Sequence, residues 1–106
     1  MLYQQGDILI QRIETLPSNL EVIAPENGRY ILARGEASGH AHAINDNILL
    51  FREEGKDVLY CLADDYFTLR HEEHENIEIP PGMYQVRKVR QFEYFQIDRN
   101  VISVND

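Results

Sequence analysis

The sequence predicts a single all-β domain, built as a small antiparallel β-barrel or a compact β-sandwich. Short apolar segments recur along the chain, and turn-forming Pro, Gly, Asn and Asp residues separate them. No long segment shows the 3.6-residue period of an amphipathic helix. With 106 residues, of which 43% are hydrophobic, the chain has the length and apolar content for one domain, residues 1–106, with one modest core.

Three strands are predicted in the N-terminal part of the chain. Residues 8–13 are rich in β-branched and aliphatic side chains and stop before a Leu-Pro-Ser-Asn turn. Residues 29–34 follow a Pro-Glu-Asn-Gly turn, and residues 41–44 end at Asn-Asp-Asn. These turn residues give each strand a defined start or end.

The middle of the chain predicts a hairpin and a further strand. Residues 48–52 and 57–62 are strand-like and flank a four-residue polar loop, which is typical of a β-hairpin. In the next strand, residues 66–71, alternation places Phe67, Leu69 and His71 on one face.

The C-terminal part begins with a short strand at 77–79, which the turn Pro80-Pro81-Gly82 ends. Residues 83–94 then predict a long strand that bends or changes sheet. A short helix over residues 96–101 stays open as an alternative.

Charge and composition narrow the choice of partners. The net charge of −8 argues against binding of long duplex nucleic acid, which requires a basic surface. No apolar run is long enough to span a bilayer, and the N-terminus does not resemble a signal peptide, so no membrane partner and a cytoplasmic location are expected. The single cysteine, Cys61, lies in an apolar run and is expected to be a buried, unreactive thiol.

The four histidines form two tight pairs, of which the first is His40 and His42. In an extended chain, residues two apart point to the same face, so both imidazoles can be directed at one point. The small Ala41 and Ala43 do not crowd them. Glycines on both sides of Glu36 permit turns that place this carboxylate beside the pair.

The second pair, His71 and His74, has a spacing of three residues. A strand would send these two side chains to opposite faces, so His74 joins the other histidines only if the segment turns. If the segment stays extended, the site contains at most His40, His42 and His71.

Together these residues predict a metal site. Neutral imidazoles with nearby carboxylates suit a divalent transition metal such as Zn²⁺, Fe²⁺, Mn²⁺ or Ni²⁺. The leading hypothesis is one metal ion held by all four histidines, with Glu36 or Glu73 as a further ligand or as the general base of a hydrolase acting on a small molecule. The competing structural interpretation is that the histidines are surface residues that merely form hydrogen bonds with glutamates.

Two other functions remain open. A metal-independent phosphodiesterase could use two histidines as general acid and base, with Arg34 or Arg70 stabilising the phosphorane and Tyr84 stacking a base or holding a phosphate oxygen. Its substrate would be a small or cyclic oligonucleotide, as in the ring nucleases. For Tyr84, a core position with a hydrogen-bond partner for its hydroxyl group is the favoured interpretation. The other candidate is a non-catalytic module that offers an edge strand or an acidic face to a partner.

Several motifs together resemble a family of small bacterial proteins without an established role. These motifs are Gly6-Asp7, GEASGHAH at 35–42, HEEH at 71–74, IPPGMYQV at 79–86 and RQFEY at 90–94. The resemblance covers most of the chain and implies that both histidine segments belong to one site. The ligand set also resembles, by analogy, the metal centre of the cupin β-barrels, although the cupin glutamate after H-x-H is missing.

Exposed strand edges further predict a homodimer.

Overall fold

A computed structural model describes residues 1–35 and 39–89, together with the backbone of 101–105, and these residues form eleven strands. The strands are β1 (Leu2–Gln5), β2 (Ile8–Ile13), β3 (Leu20–Ile23), β4 (Tyr30–Arg34), β5 (Ala41–Ile44), β6 (Leu49–Glu53), β7 (Leu59–Ala63), β8 (Phe67–His71), β9 (His74–Ile79), β10 (Gly82–Lys88) and β11 (Val101–Asn105). No helix occurs in this part of the chain, and therefore none that could cross a membrane.

The strands make two sheets. The larger sheet has seven strands in the order β11-β1-β2-β10-β7-β6-β3, and the smaller has four in the order β4-β5-β8-β9. Pairing is antiparallel throughout, except for the parallel pair of β1 and β11. The all-β prediction is confirmed. Of its two architectures, the sandwich fits, because both sheets stay open and neither closes into a barrel.

One core lies between the sheets, because each contributes the apolar side chains of one face. Ile8, Ile10 and Val86 come from the larger sheet, while Ile44 and Leu69 come from the smaller one. The predicted alternation in β8 is confirmed for its first residues, since Phe67 and Leu69 are buried whereas Arg70 is exposed. A β-bulge between Leu69 and His71 then breaks the strict alternation.

The sequence prediction missed two strands, β1 and β3. Strand β1 ends in two glutamines, which are uncommon in a buried strand, yet Gln4 and Gln5 are both buried. Strand β3 has only four residues and none of them is buried, so it lacks the alternation of buried and exposed positions that marks a longer strand. The predicted hairpin of residues 48–52 and 57–62 is confirmed, with Leu50 facing Cys61 across β6 and β7.

The ends of the predicted C-terminal elements differ from those in the structure. Strand β9 begins at His74, three residues before the predicted start, because the chain reverses immediately after β8. Strand β10 ends at Lys88, and the rest of the predicted strand over 83–94 lies outside the described residues, apart from Val89. The alternative helix over 96–101 also lies outside them, except that Val101 begins β11.

Two side chains singled out from the sequence are part of the core. Cys61 is a free, buried thiol, and burial raises its pKa to about 12, as expected for an unreactive cysteine. Tyr84 is fully buried, packs edge-on against Tyr3 and Phe67, and donates a hydrogen bond from its hydroxyl group to the carbonyl oxygen of Pro80 at 2.7 Å. It is therefore a core residue, and its burial leaves no face for stacking a base.

Candidate metal centre

The histidines meet where the smaller sheet faces the β1–β2 turn of the larger one. His42 lies on β5 and shares the inner face of that strand with Ile44, because the two residues are two positions apart. It is 5% exposed, whereas the other three histidines are only partly buried. His40 precedes β5, which begins at Ala41, so the extended H-x-H geometry expected from the sequence does not apply to it.

The second pair is brought together by a tight hairpin. Strand β8 ends at His71 and β9 begins at His74, so Glu72 and Glu73 form a two-residue turn and the two histidines face each other directly. Their ring centroids are 4.6 Å apart. The condition that the sequence placed on His74 is met, because the segment turns rather than staying extended.

Three of the imidazoles converge. One ring nitrogen from each of His42, His71 and His74 lies within 4.8 Å of the other two. The ring centroid of His42 is 4.4 Å from that of His71 and 5.7 Å from that of His74. We refer to these three residues as the three-histidine cluster.

A buried glutamine fixes the tautomer of His42. The Gln5 amide nitrogen donates to the carbonyl oxygens of Leu69 and Glu75, at 3.2 and 2.9 Å, so both of its protons are used. The Gln5 amide oxygen, 2.9 Å from His42 Nδ1, must then accept a hydrogen bond from that nitrogen. His42 Nε2 is left without a proton and is available as a ligand.

The surroundings of His42 also keep it neutral. The pKa of His42 is lowered to about 4, mainly by burial and also by the neighbouring His71. Asp7 acts in the opposite direction, with its carboxylate oxygen Oδ1 at 3.9 Å from His42 Nε2. A neutral imidazole is the form that binds a metal ion.

His74 contributes a buried nitrogen that has no partner. Its Nδ1 atom is enclosed and makes no hydrogen bond within the described residues. Its Nε2 atom lies against the β1–β2 turn, 3.0 Å from where a Cβ on Gly6 would be. Two features favour glycine at position 6. Its φ is +57°, and the imidazole ring of His74 occupies the space that a side chain would fill.

His40 stands beside the cluster in a second group. One nitrogen each from His40 and His71 and one oxygen from Glu72 lie within 4.8 Å of one another. His40 Nδ1 is 2.8 Å from a carboxylate oxygen of Glu73, which holds the ring as Gln5 holds His42. His71 differs, since its Nδ1 accepts a hydrogen bond from the Glu73 backbone N–H at 3.0 Å.

The family model of a domain of unknown function, DUF8820, matches residues 4–89. The chain belongs to the DUF8820 family. No curated protein and no solved structure matches it. The matched range includes Gln5, Gly6 and all four histidines, so the whole cluster lies inside the DUF8820 domain.

Of the other site residues predicted for this DUF8820 domain, Arg34 and Tyr84 make their contacts away from the histidines, whereas Arg70 and Glu73 lie beside them. Arg34 pairs with Glu26 at 2.6 Å on the exposed surface, and Tyr84 is in the core. Arg70 lines a groove that His71 also borders, and Glu73 is bound to His40. Glu36 lies outside the described residues.

Neither Gln5 nor Asp7 was predicted from the sequence to be part of the site. Gln5 is 37 residues from His42 in sequence, and no local pattern links the two. The only signal in the sequence is a polar pair, Gln4-Gln5, in front of a Gly-Asp turn and an apolar strand.

We expect a Gly6→Ala substitution to disturb the cluster. The new Cβ would strain the left-handed backbone and press on His74 Nε2, so the free energy of unfolding should fall by more than the ~1 kcal/mol expected from the backbone alone. Gly55→Ala is the matched control, because Gly55 also has a positive φ of +74° but faces open space. Urea unfolding in EDTA measures both variants, and equal losses would contradict the contact with His74.

Acid should destabilise the metal-free DUF8820 domain in a defined pH range. The pKa of His42 is about 4 in the native state and about 6.5 when unfolded, so between these pH values only the unfolded state binds the proton. Stability should fall as the pH decreases from 6.5 towards 4, with a slope of up to about 1.4 kcal/mol per pH unit from this group. His42→Gln should remove that component; an unchanged slope would be evidence against it.

Proposed function

We propose that this DUF8820 domain binds one divalent transition-metal ion, Zn²⁺, Fe²⁺, Mn²⁺ or Ni²⁺, through its three-histidine cluster and uses it to hydrolyse a small molecule. One observation carries the proposal. Three imidazoles converge, Gln5 leaves His42 Nε2 unprotonated, and the buried Nδ1 atom of His74 has no hydrogen-bond partner among the described residues.

The spacing of the cluster is compatible with a metal ion after a small contraction. Zn²⁺ binds histidine nitrogens at about 2.0–2.1 Å, so tetrahedral ligands are about 3.3 Å apart. The nitrogens of His42, His71 and His74 lie within 4.8 Å of one another without any ion. His71 would have to adjust most, because its Nδ1 holds the Glu73 N–H and its neutral ring then carries the proton on Nε2.

Three neutral imidazoles leave a ligand position open, as in catalytic rather than structural sites. A bound ion would polarise a substrate oxygen or make a water molecule more acidic. The Asp7 carboxylate is 3.9 Å from His42 Nε2, and its side chain is 55% exposed, so it can exchange protons with solvent. Asp7 therefore joins Glu73 and Glu36 as a candidate general base.

Arg70 and His71 line the same groove, and this observation favours the alternative of metal-independent phosphodiester cleavage. In its imidazolium form His71 could serve as the general acid that protonates the leaving oxygen, and Arg70 could stabilise the negative charge on the phosphorane. Incubation with linear and cyclic oligoadenylates in EDTA tests this alternative. Cleavage would support it, whereas persistence of every substrate, in a protein without metal, would favour a non-catalytic module.

Metal content is the decisive measurement for the main proposal. Protein purified without a histidine tag should contain close to one equivalent of a transition metal by elemental analysis. His42→Ala should remove most of that metal while the far-UV circular dichroism stays that of a β protein. Metal-free wild-type protein that also fails to take up added Zn²⁺, Fe²⁺, Mn²⁺ or Ni²⁺ would refute the proposal.

The hydrogen bond from His42 to Gln5 should control metal affinity. Gln5→Leu removes the acceptor that orients His42, and outer-sphere partners of this kind change metal affinity by about 10–100-fold. Gln4→Leu is the matched control, because Gln4 is equally buried but donates only to the carbonyl oxygen of Gly6 at 2.9 Å.

Competition titrations with a chromophoric chelator measure both affinities. We expect weaker binding by Gln5→Leu and nearly unchanged binding by Gln4→Leu. Equal effects of the two substitutions would show that loss of a buried amide, rather than loss of the His42 contact, is responsible.

A further inference from the structure

A groove of about 230 Å³ runs along the outer face of the smaller sheet, beside the three-histidine cluster. The alternation of β5 creates it. His42 and Ile44 point inward from this strand, so Ala41 and Ala43 point outward and form the floor. Both alanines are 2% exposed, and their small side chains leave room above the strand.

Two arginines border this groove. Arg70 lies opposite Ala43 in the register of β5 and β8, and Arg29 lies just before β4. Arg70 is exposed and makes no ion pair with any other described residue. Because none of the described carboxylates pairs with it, its guanidinium group has N–H donors available for a ligand.

Glu72 is the one carboxylate among the described residues that line the groove, and both of its oxygens already face other groups of the protein. One of its oxygens accepts the Ala41 backbone N–H at 2.9 Å, and the other is 3.9 Å from Arg29. Among the described residues that line the groove, two arginines and one glutamate give one net positive charge, although the whole chain carries −8. This local excess of positive charge is opposite in sign to the rest of the protein.

His71 connects the groove with the metal centre. It lines the groove together with Arg70 and belongs to the three-histidine cluster. A group bound between Arg29 and Arg70 would thus lie next to the side chain that reaches the proposed metal ion. The volume is below the roughly 300–1,000 Å³ of pockets for drug-sized ligands, which suits a small molecule or the end of a longer one.

We propose that Arg29 and Arg70 bind an oxyanion, a phosphate or a carboxylate, on the substrate that the metal centre hydrolyses. This inference rests on the proposed function and specifies its substrate class. The planar guanidinium group of arginine matches both oxyanions, because it donates two parallel hydrogen bonds. The anion would hold the substrate while the bond to be hydrolysed lies on the His71 side of the groove.

Anion binding can be tested on the metal-free protein, which separates it from metal binding. Inorganic phosphate and acetate are titrated in EDTA at constant ionic strength, and the backbone amide signals of Ala41 and Ala43 are followed by NMR. Saturable shifts with phosphate support a phosphate group on the substrate, and saturable shifts with acetate support a carboxylate. No saturable shift with either anion overturns the inference.

The arginine variants show whether the binding is specific. Arg70→Gln should weaken binding of the effective anion at least about tenfold, as expected for the loss of charge-assisted hydrogen bonds. Arg52→Gln is the matched control, since Arg52 lies on β6 of the larger sheet and does not line the groove. Equal weakening by both substitutions would indicate general charge attraction and overturn the inference.

Metal content is measured on the same variants, because Arg70 is not a member of the three-histidine cluster. Full metal content with no anion binding would refute only the proposed anion site in the groove. Anion binding by a protein that takes up no metal would refute the metal centre and leave the groove as part of the metal-independent alternative.

Discussion

The amide of Gln5 holds the two sheets together at the histidines. It is fully buried on β1 of the larger sheet, and all of its hydrogen bonds go to the smaller sheet: to the backbone of Leu69 and Glu75 and to the ring of His42. A buried amide that lacked these partners would destabilise the fold by about 1–3 kcal/mol. The same interaction therefore fixes the spacing of the sheets and the tautomer of the central histidine.

The three-histidine cluster lowers the stability of the metal-free protein. This cost is expected of residues that bind a ligand. His74 Nδ1 is enclosed and has no partner in residues 1–35 and 39–89, and an unsatisfied buried polar atom costs about 1–3 kcal/mol. His42 is held neutral by burial beside two more imidazoles, an arrangement that protonation would disrupt. A metal ion would satisfy these nitrogens together, whereas purely structural residues of the same size could be apolar.

Strand β5 serves both parts of the proposed site within four residues. Its inner face supplies His42, and its outer face supplies the alanine floor of the groove. The β8–β9 hairpin closes this end of the strand, because the Glu72 carboxylate accepts the Ala41 backbone N–H. A metal ligand and an anion site can be so close only because successive side chains of a strand point to opposite faces.

The sequence by itself determined the features that depend on neighbouring residues. Alternation placed Phe67 and Leu69 on one face of their strand, and both are buried. The sequence also showed that His74 can join the other histidines only if residues 71–74 form a turn, because a turn depends on neighbouring residues. Only the tertiary structure decided that Gln5 and Gly6 contact the histidines, that Arg34 is paired with Glu26, and that Tyr84 is in the core. A local pattern gives the direction of a side chain within its strand, but the packing of the two sheets decides which distant residue it meets.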